Sequence, residues 1–549
     1  MKRATFAVLL AAAISMAGST LLADNYPKNR SIDVLNYVFR LQLRDDTDEI
    51  VGETTVDLRF LVDGIRDFQL DLIAAPTDAE GRGMRVSAVS SDGEPLTFSH
   101  RDNRLRIMLP APSSAAQRSR YIIRYRGVPA TGLIIGDNKH GERTFFSDNW
   151  PNKARNWLPT IDHPYDKARC EFIVTAPGHY QVVSNGLLVE ETDLPGDLRL
   201  THWKQSVPIA PWLFALGVAR FAVQYVDQYQ SKSIQTWVYA RDRDAGFYDF
   251  AALPKRVLEF FGGRIGPYAY EKLANIQSNS VRGGMEAATA IFYGADSVTG
   301  TRSPRWRNVI IHEIAHQWFG NAVTEEDWDD VWLSEGFATY FTLLYIEYAY
   351  GHDAFVDGLE NSRERVVAFY RDHPDYRIVH DNLADMSQVT SSNTYQKGGW
   401  TLHMLRGIVG EESFWAGIRD YYQRYRNGNA STDDFRRAME EASGMDLSWF
   451  FRQWLYQGGT LEIEGVWRYD GRKKQLHVTL NQVQDDGSFF RMPMQLGIHL
   501  DGVRRPRIEL LQVNELRNFF SIPLERAPVA VELDPDSWVL MQAEFRRGS

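Results

Sequence analysis

The spacing of hydrophobic positions changes twice along this chain. From about Ser31 to Val223 apolar residues alternate with others: Tyr37, Phe39, Leu41 and Leu43, then Val56, Leu58, Phe60 and Val62 around Asp57 and Arg59. A period of two is that of a strand with one buried face. Turn clusters such as Ser90–Pro95 and Asp193–Asp197 punctuate the pattern, which predicts an extended all-β region. From near Ala245 the period lengthens. Phe247–Phe261, Asn308–Val323, Leu333–Tyr348, Trp400–Ile408 and Asp433–Ala442 carry apolar residues at helical spacing. They predict a mostly α region of about 220 residues. The Gly458-Gly459 pair then interrupts the chain, and alternation returns at Leu461, Ile463 and Val466 and at Leu476, Val478 and Leu480. The last stretch therefore reads as a β-sandwich. The predicted class is multidomain α+β, divided as 24–228, 229–456 and 457–549 after a leader at 1–23.

Composition adds an address. Lys2 and Arg3 precede an uncharged apolar run, Ala4–Ala17, and small residues follow, with cleavage expected after Ser19 or Ala23. That is the pattern of a secretory signal, and the run is too short to span a bilayer comfortably. No later stretch is long and apolar enough to span, so none is expected in the mature protein. With Cys170 as the only cysteine, no internal disulfide can form and no cysteine cluster can hold a metal. An exported protein of this kind fits a bacterial periplasm, or secretion, better than a disulfide-rich secretory route. Loss of Lys2 and Arg3 with the leader takes the formal charge from −10 to −12, which argues against nucleic acid and anionic membrane surfaces as partners.

Candidate chemistry begins at Val309–Phe319, where His312 and His316 stand four residues apart with Glu313 after the first. On a helix, residues i and i+4 lie on one face, so two imidazoles reach one metal ion with a carboxylate beside it. With 13 histidines in 549 residues the spacing alone is only suggestive. A catalytic zinc takes three protein ligands and keeps a fourth position open. Continuation to a third histidine, H-E-x-x-H-x-x-G-x-x-H, is absent, because Phe319 and Ala322 occupy those positions. The alternative is a glutamate on a following helix. Glu335, separated from His316 by eighteen residues, opens such a helix; a first-turn acid favoured by the helix dipole is the plainer reading of a lone Glu there.

The segments His312-Glu-Ile-Ala-His-Gln-Trp-Phe-Gly-Asn321 and Trp332-Leu-Ser-Glu-Gly-Phe-Ala-Thr-Tyr340, with that gap, resemble the gluzincin aminopeptidases, peptidase family M1. Three further segments agree in order: Gly283-Gly-Met-Glu-Ala287 with the family's G-x-M-E-N motif, Tyr395-Gln-Lys-Gly398 with its Y-x-K-G segment, and Ala154–Pro164 with an arginine-to-proline segment of its N-terminal domain. The resemblance implies an N-terminal β saddle, a thermolysin-like catalytic domain and a C-terminal β-sandwich, in a three-domain form without the long C-terminal helical domain of larger members. It also implies one Zn²⁺ per chain on His312, His316 and Glu335, Glu313 as general base, and Tyr395 as hydrogen-bond donor to the tetrahedral oxyanion. Glu286 would hold the free α-ammonium group of a peptide substrate. Gly283, Gly284 and Met285 would accompany it along the substrate's backbone.

Three positions depart from the family pattern. Ala287 replaces the asparagine after the glutamate. Asp148 stands where a glutamine usually precedes the motif arginine, here Arg155; it would join Glu286 at the ammonium or favour basic side chains, or simply serve a turn. Ser334 replaces the asparagine before the zinc glutamate. The function implied is removal of N-terminal residues from peptides. A thermolysin-like endopeptidase, a hydrolase of another electrophile and a peptide-binding protein on the same scaffold are the competing readings.

Overall fold

The structure, a computed structural model, describes residues 24–76 and 81–548; the expected leader lies outside them. The first alternating stretches form adjacent antiparallel strands, Ile32–Gln42 and Ile50–Phe60, with Tyr37, Phe39, Leu41, Val56, Leu58 and Phe60 buried. Val62 departs from the expectation and is exposed, because pairing ends with Phe60 opposite Ile32. Both strands belong to an eight-stranded sheet in which Ile32–Gln42 also runs parallel to Ala168–Pro177. A four-stranded sheet, ordered Gln181–Ser184, Leu216–Ala219, Arg143–Ser147 and Leu133–Asp137, completes much of this region. Phe39, Phe172 and Phe214 pack together in its core at centroid distances of 5.0–6.5 Å. The Ala154–Pro164 segment is held by Arg155, whose Nε donates to Asp162 Oδ2 at 2.9 Å and whose Nη2 donates to the Asp162 carbonyl at 2.7 Å.

The helical region opens with a sheet of its own, ordered Phe221–Tyr229, Lys232–Tyr239, Lys272–Ser278, Ala290–Gly294 and Gly284–Met285. The boundary expected at 228/229 thus falls inside the strand Phe221–Tyr229, whose hairpin belongs to the sheet carrying the Gly-Gly-Met-Glu segment. The helix read over Phe247–Phe261 is two, Arg243–Phe250 and Pro254–Arg264. Pro254 has no N–H to donate into a preceding turn and instead starts the second helix. The helix read over Asn308–Val323 is Pro304–His316, and Val323–Glu325 is a short strand parallel to Gly428–Ala430.

Two helices frame the site from the other side. Trp332–Tyr350 is apolar around most of its circumference and largely buried, as a helix must be when it crosses a domain interior. Ser392–Val409 starts at a capping box: Ser391 Oγ accepts from the Thr394 N–H, and Thr394 Oγ1 accepts from the Ser391 N–H. They touch where Gly336 and Gly398 face each other; a Cβ on Gly398 would lie 2.9 Å from the Gly336 Cα.

The C-terminal region is β-rich and holds two sheets. One is ordered Arg517–Pro523, Gln475–Gln482, Leu461–Asp470 and Met541–Arg547; the other Arg507–Val513, Met492–His499 and Ala530–Leu533. Leu461, Ile463, Leu476, Val478 and Leu480 are buried as read, but Val466 is exposed because Gly465 and Trp467 hold the inward parity.

Candidate metal centre and active-site cleft

The Pro304–His316 helix presents His312 and His316 on one face, and the first turn of Trp332–Tyr350 brings Glu335 against them. The two Nε2 atoms are 3.1 Å apart, and Glu335 Oε2 is 3.3 Å from each. Three donors sharing a tetrahedral ion at bonds of about 2.0–2.1 Å stand about 3.3 Å apart. The donor types, two imidazoles and a carboxylate with no thiolate, are those of a catalytic zinc, so the residues fit the ion.

The surroundings orient these ligands. His316 Nδ1 lies 3.2 Å from the Phe319 carbonyl and 3.0 Å from Ser334 Oγ. A proton held on Nδ1 by the carbonyl leaves the Nε2 lone pair for the metal. Gly320, at φ +109°, is required here, because a Cβ would sit 2.2 Å from Ser334 Oγ.

The Gly-Gly-Met-Glu strand lies against the metal helix. A Cβ on Gly284 would sit 2.2 Å from Glu313 Oε1, so the missing side chain is what lets the Glu313 carboxylate pack against this strand. Burial, and then the charge of Glu286, push the Glu313 carboxyl well above the usual range. Glu286 is itself 5% exposed, its Oε1 is 4.0 Å from His316 Nε2, and that oxygen has no hydrogen-bond partner among the described residues. Burial raises its pKa to about 7. Its backbone carbonyl accepts from Gln317 Nε2 at 3.0 Å and Asn321 Nδ2 at 2.6 Å. Those two amides clamp the Glu286 strand to the metal helix, a role that the reading of the sequence did not identify.

Tyr395 closes the opposite side. Its hydroxyl donates to Glu335 Oε1 at 2.8 Å, and its ring stacks on His312 at 6.0 Å. Burial, followed by the Glu335 charge, raises the phenol well above its usual range and keeps its proton in place. Lys397 of the same segment is buried beneath: its Nζ donates to the Tyr370 hydroxyl at 2.7 Å and to the carbonyls of Gln457 and Gly459. It fastens the Tyr395 helix to the start of the C-terminal region.

These groups open onto a cleft of about 430 Å³, whose far wall includes Thr339, Leu343, Ile346 and Arg365. Gly283, Gly284, Glu286, His312, Glu313, His316, Glu335 and Tyr395 all line it; Met285 and Asp148 do not. Met285 is buried, in register with Phe292 in the sheet. Asp148 is ion-paired to Lys153 at 2.8 Å, and its charge reaches Glu286 without touching the cleft. Two further buried groups lie close by without any signal in the local sequence. Lys167 Nζ donates to the carbonyls of Asn321, Ala322 and Gly428 at 2.9, 3.1 and 3.0 Å, tying the N-terminal region to the loop after the metal helix. Glu325 is buried with both carboxylate oxygens unpartnered among the described residues, and burial lifts it to about 8.

Comparison with known proteins finds two domains of one family along the chain. The peptidase M1 N-terminal domain matches residues 34–213 and the peptidase family M1 domain residues 251–454. A glutamyl aminopeptidase of Bitis rhinoceros is 30% identical over 341 residues, covering 59% of this chain and 35% of that protein. A probable aminopeptidase 2 of Sulfurisphaera tokodaii is 30% identical over 320 residues, covering 56% and 40%. The chain thus spans little more than a third of the length of such curated relatives. Among solved structures, an M1 zinc metallopeptidase of Deinococcus radiodurans superposes with a TM-score of 0.67 at 25% identity, covering 79% of this chain and 95% of that one. Both domains of one family, matched in chain order over more than half of the sequence, place this chain in peptidase family M1.

Proposed function

We propose that this chain is a zinc-dependent aminopeptidase, hydrolysing the first peptide bond of peptides with a free N-terminus. The observation that carries it is the Glu286 Oε1, without a hydrogen-bond partner among the described residues and buried at the cleft wall 4.0 Å from His316. A buried carboxylate without a donor is costly unless the substrate supplies one, and an α-ammonium group does so through a charge-assisted hydrogen bond. Placed beside the metal donors, Glu286 sets the first residue's amine against the wall and leaves the first peptide bond over His312, His316 and Glu335. Zinc held by those three residues would polarise the scissile carbonyl and make a bound water acidic.

The remaining chemistry belongs to the chain. Glu313, whose burial gives it a high proton affinity, takes the proton from the attacking water and returns it to the departing amine. Tyr395 keeps its phenol proton and turns it from Glu335 toward the oxygen that gains charge. Gly283, where a Cβ would meet nothing within 4 Å, leaves room for the substrate's backbone beside the Gly284–Met285 strand, and Gly284 leaves room for Glu313. Asp148, held by Lys153, supports the negative potential at the ammonium end from behind. We assign the three regions as saddle, thermolysin-like domain and β-sandwich, and the Lys2–Ala17 pattern supports export to a periplasm or beyond.

The direct test is Glu313→Ala assayed on amino-acid arylamides, with bound zinc measured alongside. Hydrolysis is expected to vanish while zinc stays bound. Full activity in that variant would remove the proposal.

A further inference from the structure

A second cavity, of about 270 Å³, opens at the start of the Pro304–His316 helix. It lies between that helix, the Arg243–Phe250 and Pro254–Arg264 helices, and the last residue of Trp332–Tyr350. The lining reaches Ile310, two residues before His312, but no residue lines both this cavity and the catalytic cleft, so the two are separate.

Its lining is cationic. Arg256, Arg302 and Arg307 all contribute, and none is ion-paired among the described residues. Two of them are fixed in place: Arg302 donates Nε to the Tyr248 carbonyl at 3.0 Å and lies 4.0 Å over the Tyr248 ring. Arg307 donates Nε to Asn308 Oδ1 at 3.0 Å and lies 4.2 Å over the Tyr350 ring. Both guanidinium groups are thereby oriented while their Nη atoms have no acceptor among the described residues. Asp249 also lines the cavity but is occupied elsewhere. Its Oδ2 accepts from the Thr299 N–H, the Gly300 N–H and the Thr299 hydroxyl, and its Oδ1 from the Arg302 N–H.

Two independent features point to a ligand. Ser297 is 1% exposed, lines the cavity, and its Oγ has no hydrogen-bond partner among the described residues. The helix itself starts without a side-chain cap; Pro304 has no N–H and that of Arg307 is bonded to the Ser303 carbonyl, which leaves the N–H groups of Arg305 and Trp306 free to face an anion. Trp306, Ile310 and Leu253 supply an apolar wall. A planar, delocalised cation matches a carboxylate or phosphate in bidentate fashion, a hydroxyl completes the shell, and the wall accepts a hydrophobic body.

We propose that this cavity binds a small organic oxyanion, a carboxylate or phosphate group carried on a compact apolar body. The test is isothermal titration of the zinc-loaded protein with benzoate, phenyl phosphate and inorganic phosphate. At least one aromatic anion should bind saturably and more tightly than inorganic phosphate, and comparison of the two aromatic anions identifies the preferred head group. Arg302→Gln combined with Arg307→Gln should weaken that binding by at least about tenfold, the loss of one charge-assisted contact or more. Ser297→Ala, a smaller change, should weaken it about threefold or more. Binding that survives the arginine substitutions but is lost with zinc would place the anion in the catalytic cleft and overturn the proposal. So would the absence of saturable binding in the millimolar range, and inorganic phosphate binding as tightly as phenyl phosphate overturns the organic body.

Discussion

Gly398→Ala sets two physical effects against each other. Gly398 sits inside the Ser392–Val409 helix, where alanine is favoured over glycine by about 1 kcal/mol. Against this, the new Cβ would lie 2.9 Å from the Gly336 Cα, whereas carbon atoms in contact settle at about 3.5–4.0 Å. The two helices must then part by about 0.6–1 Å, and overpacking of this kind costs about 1–3 kcal/mol. Gly336 follows Glu335 and Gly398 lies three residues after Tyr395, so the strain falls on the 2.8 Å bond between those side chains. Lengthened to about 3.4–3.8 Å, it is no longer a hydrogen bond, and Tyr395 loses its aim at the oxyanion. Complete loss of such a donor costs about a hundred- to a thousandfold in kcat, and misplacement is expected to cost about ten- to a hundredfold. The assay is steady-state hydrolysis of an amino-acid arylamide, with zinc content and a thermal melt on the same preparation. Gly263→Ala is the control, since a Cβ there meets nothing within 4 Å and only the helical preference acts. A Gly398→Ala protein that melts higher than the parent and keeps kcat within about twofold would refute the packing argument.

Ser334→Ala removes one of the two groups at His316 Nδ1 and leaves the Phe319 carbonyl. Zinc affinity, measured by competition with a chelator, should fall about tenfold, the lower end for such a partner; no change would mean that the carbonyl alone orients the ring. Glu286→Gln keeps the shape of the cleft wall and removes its charge, so kcat/KM for a free amino-acid arylamide should fall about ten- to a hundredfold with zinc still bound. An unchanged kcat/KM would mean that another group holds the ammonium.

What the sequence revealed was whatever chemistry or pattern is local. His312 and His316 meet because i and i+4 share a helical face, and Glu335 and Tyr395 were recognisable inside short segments that the structure indeed brings together. Strand alternation was legible as far as pairing continued. It failed at Val62, where the partner strand ends, and at Val466, where Gly465 takes the inward position. Pro254 offered a local signal for the break between two helices, which the apolar spacing across it obscured. The clamps were hidden for a different reason. Gln317 and Asn321 act on the carbonyl of Glu286, and Lys167 acts on carbonyls more than 150 residues away, contacts that only the folded chain creates. For Asp148 the sequence left a place at the ammonium, a preference for basic side chains and a turn all open; its carboxylate is ion-paired to Lys153. The anion cavity gathers Arg256, Ser297, Arg302 and Arg307 from several elements, so no motif could announce it.

The most direct test of the central claim compares one peptide in two forms, with a free and with an acetylated N-terminus, on the zinc-loaded protein. Glu286, buried and with its Oε1 lacking a donor among the described residues, distinguishes the two only if it receives the α-ammonium group. The free peptide should be cleaved at its first bond with a kcat/KM at least about a hundredfold above that of the acetylated form. Equal rates, or cleavage of the acetylated peptide at an internal bond, would contradict the aminopeptidase reading and point to an endopeptidase.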